Sequence, residues 1–193
     1  MSDISEPTNG MTRRDFLRGA GRAALLLIAG GAAGFGVSRS AGKRRVWQID
    51  PLKCVQCGQC ATDCVLDESA VKCVHDFKMC GYCERCTGFF RPTVNELNEG
   101  AENQLCPTNA IRRVFVEEPY FEYTIDEKLC TGCGKCVRGC SDFGNGSLYL
   151  QVRHDRCLNC NECFIAARCP SGAFMRVDPD APYVLKSQWK GRA

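Results

Sequence analysis

The spacing of the cysteines is the feature of this sequence that most constrains its fold. Seventeen of the 193 residues are cysteine. So high a content in a short chain indicates that disulfides or metal sites, rather than an ordinary apolar interior, organise the structure. Sixteen of them form four sets, each with three cysteines spaced C-x2-C-x2-C and a fourth, which follows after three residues in the first and third sets and after a longer interval in the second and fourth. In chain order these are Cys54, Cys57, Cys60 and Cys64; Cys80, Cys83, Cys86 and Cys106; Cys130, Cys133, Cys136 and Cys140; and Cys157, Cys160, Cys163 and Cys169.

Runs of this kind suit an iron–sulfur cluster. Three thiolates two residues apart let a tight loop wrap one face of a cubane and direct its backbone N–H groups at the sulfides, while a fourth ligand comes from elsewhere. Cys106 and Cys169 are each followed by proline, as in bacterial iron–sulfur runs. The pattern therefore predicts [4Fe-4S] clusters.

Disulfides and zinc are the alternatives. The sixteen cysteines could make eight bridges in an oxidising compartment, but pairing neighbours within these runs would close many short, strained loops. Zinc binds C-x2-C pairs well, yet a tetrahedral structural site takes two pairs. Triplets with a remote Cys-Pro favour clusters over both.

The chain repeats itself beyond residue 45. The stretch "VWQIDPLKCVQCGQCATDC" corresponds to "EYTIDEKLCTGCGKCVRGC" 76 residues later, and "HDFKMCGYCERC" to "VRHDRCLNCNEC" 77 residues later. "LCPTNAIRRV" likewise corresponds to "RCPSGAFMRV", displaced by 63 residues. Duplication of one unit predicts two modules side by side, over 46–118 and 119–180, with a C-terminal tail over 181–193.

With these runs the chain resembles bacterial-type [4Fe-4S] ferredoxins, specifically the doubled, exported four-cluster subunits of nitrate, nitrite and molybdenum-enzyme systems. The resemblance covers residues 46–177 and implies an α+β fold of tandem two-cluster ferredoxin-like modules, rich in loops, with short strands and helices. In that family the fourth cysteine of each run binds the neighbouring cluster. The implied ligand sets are Cys54, Cys57, Cys60 and Cys106; Cys80, Cys83, Cys86 and Cys64; Cys130, Cys133, Cys136 and Cys169; and Cys157, Cys160, Cys163 and Cys140.

Two departures from the family pattern leave the fourth ligands open. Val65 and Ser141 stand where the family usually has proline, and the interval between Cys86 and Cys106 holds 19 residues. A related group of four-cluster subunits pairs the first run with the fourth and the second with the third, which would exchange the remote cysteines. The sequential repeat favours pairing within each half.

The amino-terminal residues resemble an export signal. Arg13 and Arg14 are followed by Phe16, Leu17 and a weakly hydrophobic run over 23–37, the pattern of a twin-arginine signal for folded proteins. We expect residues 1–41 to be this signal, or an uncleaved anchor, although the apolar run is short for a spanning helix. The expected location is the periplasm or the outer face of the bacterial cytoplasmic membrane, and clusters inserted before export would explain the choice of route.

Three further residues could act near a cluster. Cys73, the seventeenth cysteine, has no counterpart in the second repeat. We expect it to be a buried bystander that packs as a small apolar side chain, with ligand exchange or a bond to a partner as alternatives. His75 and His154 precede the second and fourth runs. We expect each histidine to cap the loop ahead of its cysteine run, and the alternative is that it tunes the potential of a cluster.

The predicted secondary structure follows the positions of the cysteine runs. Alternation predicts strands in "VWQID" and "YFEYTID" before the first and third runs, and in "AIRRVFVE" and "AFMRVD" after each Cys-Pro. Short helices are expected after Cys60 and Cys136. The insertion from Thr93 to Leu105 is expected to be partly helical, with a solvated face or a docking surface. The tail, with Lys186 and Trp189, could lie on another subunit.

The resemblance implies an electron carrier without a substrate site of its own. Such a subunit relays single electrons through four [4Fe-4S] clusters, between a membrane quinol or flavin donor and an exported oxidoreductase, in a hetero-oligomeric complex. The alternative is a cluster-stabilised assembly or structural module that carries no current. A formal net charge of +3 provides no footprint for nucleic acid.

Overall fold

The computed structural model describes residues 13–14, 16–18, 20–21, 24–27, 44–80, 85–91, 93 and 104–189. The chain divides into two compact units, Met1–Lys43 and Arg44–Ala193. In the first unit the described residues between 13 and 27 are helical and exposed. Over the described ranges, no helix combines the length and the apolar character that crossing a membrane requires.

The second unit combines short antiparallel strands with short helices, joined by the cysteine loops, so the chain is of the mixed α+β class. Its described part contains three two-stranded sheets. The strands are β1 (Val46–Ile49), β2 (Val71–His75), β3 (Ile111–Glu117), β4 (Tyr120–Ile125), β5 (Leu148–Val152) and β6 (Phe174–Val177). The helices are α1 (Lys135–Phe143) and α2 (Phe164–Arg168), with 3-10 turns at Gln59–Ala61 and Lys186–Gln188.

The sheets join the two sequence repeats. Strand β1, before the first run, pairs with β6, after the last, whereas β3 pairs with β4 across the middle of the chain. Ile49 lies opposite Phe174, and their repeat counterparts Ile125 and Ile111 also lie opposite each other. The duplication in the sequence is therefore a pseudo-twofold symmetry in space, and the predicted module boundary at 118–119 falls in the turn of the β3–β4 hairpin.

The third sheet lies on this pseudo-twofold axis. Cys73 of β2 lies opposite Leu150 of β5, and Leu150 is the residue of the second repeat that corresponds to Cys73. All five residues of β5 are buried, because side chains cover both faces of the strand. Neither strand was predicted, since Lys72 and Gln151 interrupt the apolar pattern that a buried strand usually shows.

The core packs aromatic rings among the cysteines. Phe90 is completely buried, and its ring meets that of Phe89 edge to face at 4.5 Å between centroids. The Phe89 ring lies 5.4 Å from that of Tyr123 in β4. Each buried phenyl ring contributes about 2–3 kcal/mol through the apolar surface removed from water. These rings belong to one buried cluster of residues that includes the thiols of Cys60, Cys73, Cys130, Cys136 and Cys140.

Four predicted strands, β1, β3, β4 and β6, are confirmed. The helix expected near Cys136 is α1, which begins at Lys135 after the left-handed Gly134. After Cys60 the chain forms only the 3-10 turn Gln59–Ala61, and α2 was not predicted. The helix expected over 93–105 lies outside the described residues, except for residues 93, 104 and 105.

The tail packs on the rest of the second unit of this chain as far as Trp189, whereas contact with another subunit was the possibility raised from the sequence. The Trp189 indole N–H donates to Asp50 Oδ1 at 2.8 Å, and the Ser187 backbone N–H donates to Asp76 Oδ2 at 2.8 Å. Lys186 Nζ donates to the Gly146 carbonyl oxygen at 2.7 Å. The tail therefore connects the loops that lead into the first and second runs.

Candidate metal centres

The chain approaches every run through the same turn. The residue four positions before the first cysteine accepts that cysteine's N–H through its carbonyl oxygen. In the first three runs this residue is an aspartate whose carboxylate also accepts a backbone N–H two residues on, as in an Asx-turn. The N–H to carbonyl distances are 3.1 Å for Cys54 and Asp50, 3.2 Å for Cys80 and Asp76, 3.1 Å for Cys130 and Asp126, and 2.9 Å for Cys157 and Arg153.

A left-handed residue then turns the first C-x2-C loop of the first, third and fourth runs around its first sulfur. The second residue between the two cysteines has a positive φ, which non-glycine residues rarely adopt. The Asn159 N–H donates to Cys157 Sγ at 3.4 Å. Equivalent N–H donors favour the thiolates of Cys54 and Cys130. The φ values are 50° at Gln56, 75° at Gly132 and 50° at Asn159.

The two Cys-Pro segments also form one motif. The Ala110 N–H donates to Cys106 Sγ at 3.1 Å, and the Ala173 N–H donates to Cys169 Sγ at 3.3 Å. Burial acts to raise the pKa of Cys169, but hydrogen bonds from Ala173 and Ser171 outweigh it and hold the pKa below its usual value. The segment of Cys169 thus stabilises a thiolate rather than a thiol.

The first run is completed by Cys169. Burial raises the pKa of Cys60 to about 12, and the charges of Cys54, Cys57 and Cys169 add to this effect. Burial also raises the pKa of Cys54, for which the charges of Cys169 and Cys57 are further causes. We define site 1 as Cys54, Cys57, Cys60 and Cys169.

The fourth run is completed by Cys64. A cavity with about 450 Å³ of empty space, partly open to solvent, is lined by Cys64, Cys157, Cys160 and Cys163. Burial, followed by the charges of Cys163, Cys160 and Cys64, raises the pKa of Cys157. We define site 4 as these four cysteines. Its apolar wall includes Val71, Val152, Ile165 and Phe174.

The remaining two runs exchange remote cysteines with each other. Cys106 lies with Cys130, Cys133 and Cys136 around a cavity with about 330 Å³ of empty space, which we define as site 3. Cys140 lies with Cys80 and Cys86 around a cavity with about 430 Å³ of empty space, which we define as site 2. Cys83, the remaining predicted ligand of the second run, lies outside the described residues.

These positions correct the fourth ligands expected from pairing within each half. Cys169, not Cys106, lies with the first run, and Cys106, not Cys169, lies with the third. Cys64 lies with the fourth run, and Cys140 with the second. The physical reason is the strand pairing: β1–β6 brings the segment that ends the chain's last run to the first run, and β3–β4 does the same for the two middle runs.

Sites 1 and 3 meet through their cysteine loops. A Cβ atom added at Gly58 would lie 3.1 Å from the Cys133 carbonyl oxygen, and one added at Gly134 would lie 3.3 Å from the Gln56 carbonyl oxygen. The Arg138 guanidinium donates to that same Gln56 oxygen at 3.3 Å. Because sites 4 and 1 exchange cysteines, as do sites 3 and 2, the four sites follow one another in the order 4, 1, 3, 2.

The donor sets of these sites differ from that of a single metal ion. Within the described ranges, no three or more His, Cys, Asp or Glu side chains are grouped as ligands of a single metal ion. No disulfide joins the sixteen described cysteines. Sites 2, 3 and 4 each place thiols from separate turns around a common cavity, and backbone N–H groups are directed at sulfur in sites 1, 3 and 4. This donor set fits a [4Fe-4S] cluster, in which each thiolate binds its own iron.

The two histidines occupy different surroundings. His75 lines the cavity of site 2, with Nδ1 3.1 Å from the Tyr123 carbonyl oxygen, and burial lowers its pKa. The His154 ring instead packs against Tyr183 of the tail, 5.2 Å between centroids. Burial lowers the pKa of His154 as well. Of the two histidines, only His75 therefore lies where the predicted alternative, tuning of a cluster, could apply.

Strand β2 carries two side chains beside site 3. Cys73 lines its cavity, with Sγ 3.4 Å from Cys136 Sγ. Lys72 is 1% exposed, and its Nζ donates to the Cys130 carbonyl oxygen at 2.5 Å. Sequence reasoning noted Cys73 as an extra cysteine but missed Lys72. A lysine next to a valine carries no signal of burial, because most lysines lie at the surface.

Fold and sites define a small α+β protein that brings fifteen described cysteines of two intertwined repeats into four groups. No protein-family model matches this chain, and the searches of curated proteins and of solved structures found no match either. The resemblance to ferredoxins therefore stays a prediction that depends on the cysteine runs.

Proposed function

We propose that the protein is an iron–sulfur electron-transfer subunit with four [4Fe-4S] clusters. The observation that carries the proposal is the grouping of the thiols: at sites 1, 3 and 4, three cysteines of one run meet a remote cysteine from another. Site 2 follows the same plan through Cys80, Cys86 and Cys140. When bound, such clusters accept and release single electrons.

The chain's own residues hold and shield these groups. The Asx-turns and left-handed residues set the thiols around each cavity, and N–H donors such as Asn159 and Ala173 favour the thiolate form that iron requires. Apolar side chains, among them Phe174 at site 4 and Leu148 at site 2, line the cavities and limit the access of water. Burial and hydrogen bonds to sulfur are the two properties that determine cluster potentials.

The order of the sites supports a relay rather than four separate centres. Sites 4, 1, 3 and 2 follow one another, and the 56–58 loop meets the 133–134 loop at the middle step. On this proposal, two ferredoxin-like modules exist in space, one formed by the first and fourth runs and one by the second and third. Sites 4 and 2 are the ends at which a donor and an acceptor would bind.

The proposed setting is the outer face of the bacterial cytoplasmic membrane or the periplasm. We infer a membrane quinol- or flavin-linked donor, an exported oxidoreductase partner and no substrate site in this chain. The support is the Arg13–Arg14 pair before a soft apolar run. Replacing both arginines with lysine keeps the charge but should abolish export of the folded protein, and export at the normal level would contradict the route.

Cluster content is the direct test. Protein purified without oxygen should contain roughly 16 iron and 16 inorganic sulfide per chain, and reduction with dithionite should produce paramagnetic signals from several clusters. Zinc alone, or eight cystine links without iron, would overturn the proposal. Full iron content with no change of oxidation state at any accessible potential would indicate a structural module instead.

A further inference from the structure

Sites 1 and 3 are counterparts in the repeat, yet their surroundings differ. Cys54, Cys57 and Cys60 correspond to Cys130, Cys133 and Cys136, and the two Cys-Pro segments also correspond. Their cysteine spacing is the same, so residues outside the runs are one source of a difference between the two sites. Strand β2 and its counterpart β5 supply such a difference.

Lys72 places a buried positive charge beside site 3. Its side chain is 1% exposed, and its Nζ lies 4.0 Å from Glu68 Oε2, on a side chain that is 70% exposed. The ammonium reaches the Cys130 backbone at the start of the third run. The counterpart of Lys72 is Tyr149, a neutral side chain whose hydroxyl donates to the Val184 carbonyl oxygen in the tail.

Cys73 directs two hydrogen-bonding groups at the same site. Its backbone N–H donates to Cys130 Sγ at 3.3 Å, and its thiol is 3.4 Å from Cys136 Sγ. Once Cys136 binds iron as a thiolate, only Cys73 has a proton to donate in this contact. The counterpart of Cys73 is Leu150, whose side chain offers neither a thiol nor any other donor.

We propose that strand β2, through Lys72 and Cys73, makes site 3 easier to reduce than its counterpart site 1. This inference rests on the proposed function. Reduction adds one electron and no proton to the site, so its negative charge increases. A buried ammonium stabilises that added charge strongly because little solvent screens it, and hydrogen bonds to cysteine sulfur raise the potential in the same direction. Both residues are positioning residues, since they act through Cys130 and Cys136.

The test is a potentiometric titration followed by electron paramagnetic resonance on the complete chain, with dithionite as reductant. Lys72→Met removes the charge but keeps an apolar chain of similar length. It should lower one midpoint potential by an amount equal to at least a tenfold change in the reduction equilibrium, ~59 mV for one electron, and leave the others in place. Lys128→Met is the matched control, because Lys128 is exposed and lies two residues before Cys130. It should shift that potential much less.

The thiol is tested separately, which also covers a Lys72→Met protein that does not fold. Cys73→Ala should lower the same potential, whereas Cys73→Ser, which keeps a donor, should stay close to the wild type. Cys133→Ser should alter that same signal and so assign it to site 3. Unchanged potentials in both Lys72→Met and Cys73→Ala, with full iron content, would overturn the inference. A wild-type protein without iron would overturn the proposed function instead.

Discussion

Ile49 lies opposite Phe174 in the antiparallel pair of β1 and β6. This pair joins the strand before the first cysteine run to the strand after the last one, so the first and fourth runs share one half of the molecule. The equivalent pair of Ile125 and Ile111 joins the second and third runs. The remote cysteines are exchanged within these halves, and the halves meet where Gly58 approaches Cys133.

The exchange of remote cysteines predicts which substitutions act on the same cluster. Cys169→Ser and Cys57→Ser should both remove the signal of site 1, and each should lower the iron content by roughly a quarter if the cluster is lost. Cys106→Ser should instead remove the same signal that Cys133→Ser removes. The measurement is iron analysis with electron paramagnetic resonance of the reduced proteins. If Cys106→Ser removed the signal that Cys57→Ser removes, the observed pairing would be wrong.

The loop of site 3 should tolerate no side chain at Gly132. Its φ is +75°, and an added Cβ would collide with the Val71 carbonyl oxygen. Gly172→Ala is the matched control, since Gly172 has a φ of +59° and no atom within 4 Å of the added Cβ. The control should cost about 1 kcal/mol from backbone strain, and Gly132→Ala distinctly more. Thermal unfolding of both variants measures the difference, and equal losses would show that the Val71 contact relaxes freely.

Removal of the buried ring of Phe90 should destabilise the protein severely. Phe90 is 0% exposed, so Phe90→Ala leaves a cavity between Phe89 and Arg113 and should cost about 3–5 kcal/mol. The exposed Phe143, with 62% of its surface accessible, is the control, and Phe143→Ala should change the free energy of unfolding by about 0.5 kcal/mol or less. Chemical denaturation under anaerobic conditions gives both values. A small effect at Phe90 would contradict the observed packing.

The contact of His154 with the tail should be sensitive to acid. Burial lowers the pKa of His154, so the folded chain prefers the neutral ring. Protonation begins in the unfolded chain near the ordinary histidine pKa of about 6.5, and stability is lost as the pH falls from there through the lower pKa of the folded state. His154→Gln should remove this pH-dependent contribution to stability. The melting temperature of the variant should therefore fall less than that of the wild type between pH 7.5 and 5.5. The same fall in both proteins would exclude the effect.

The sequence by itself determined the local chemistry. The spacing of the runs predicted that their cysteines lie in four groups, as the fifteen described members do. Ile-Asp recurs before Cys54 and Cys130, where the structure has an Asx-turn. Alternating residues located β1, β3, β4 and β6, because each leaves at least one face partly open to solvent. These features depend on neighbours a few residues apart, which a linear pattern can display.

Only the tertiary structure decided the long-range relations. Cys64, Cys106, Cys140 and Cys169 have the same local sequence environment whichever run they complete, so spacing could not choose between pairing within and across the halves. The hydrogen bonds of β1–β6 and β3–β4 made that choice. Lys72 and Cys73 likewise lie beside the third run because β2 and β5 pair on the pseudo-twofold axis. Both faces of a strand are covered there, so a polar side chain in the sequence does not indicate an exposed position.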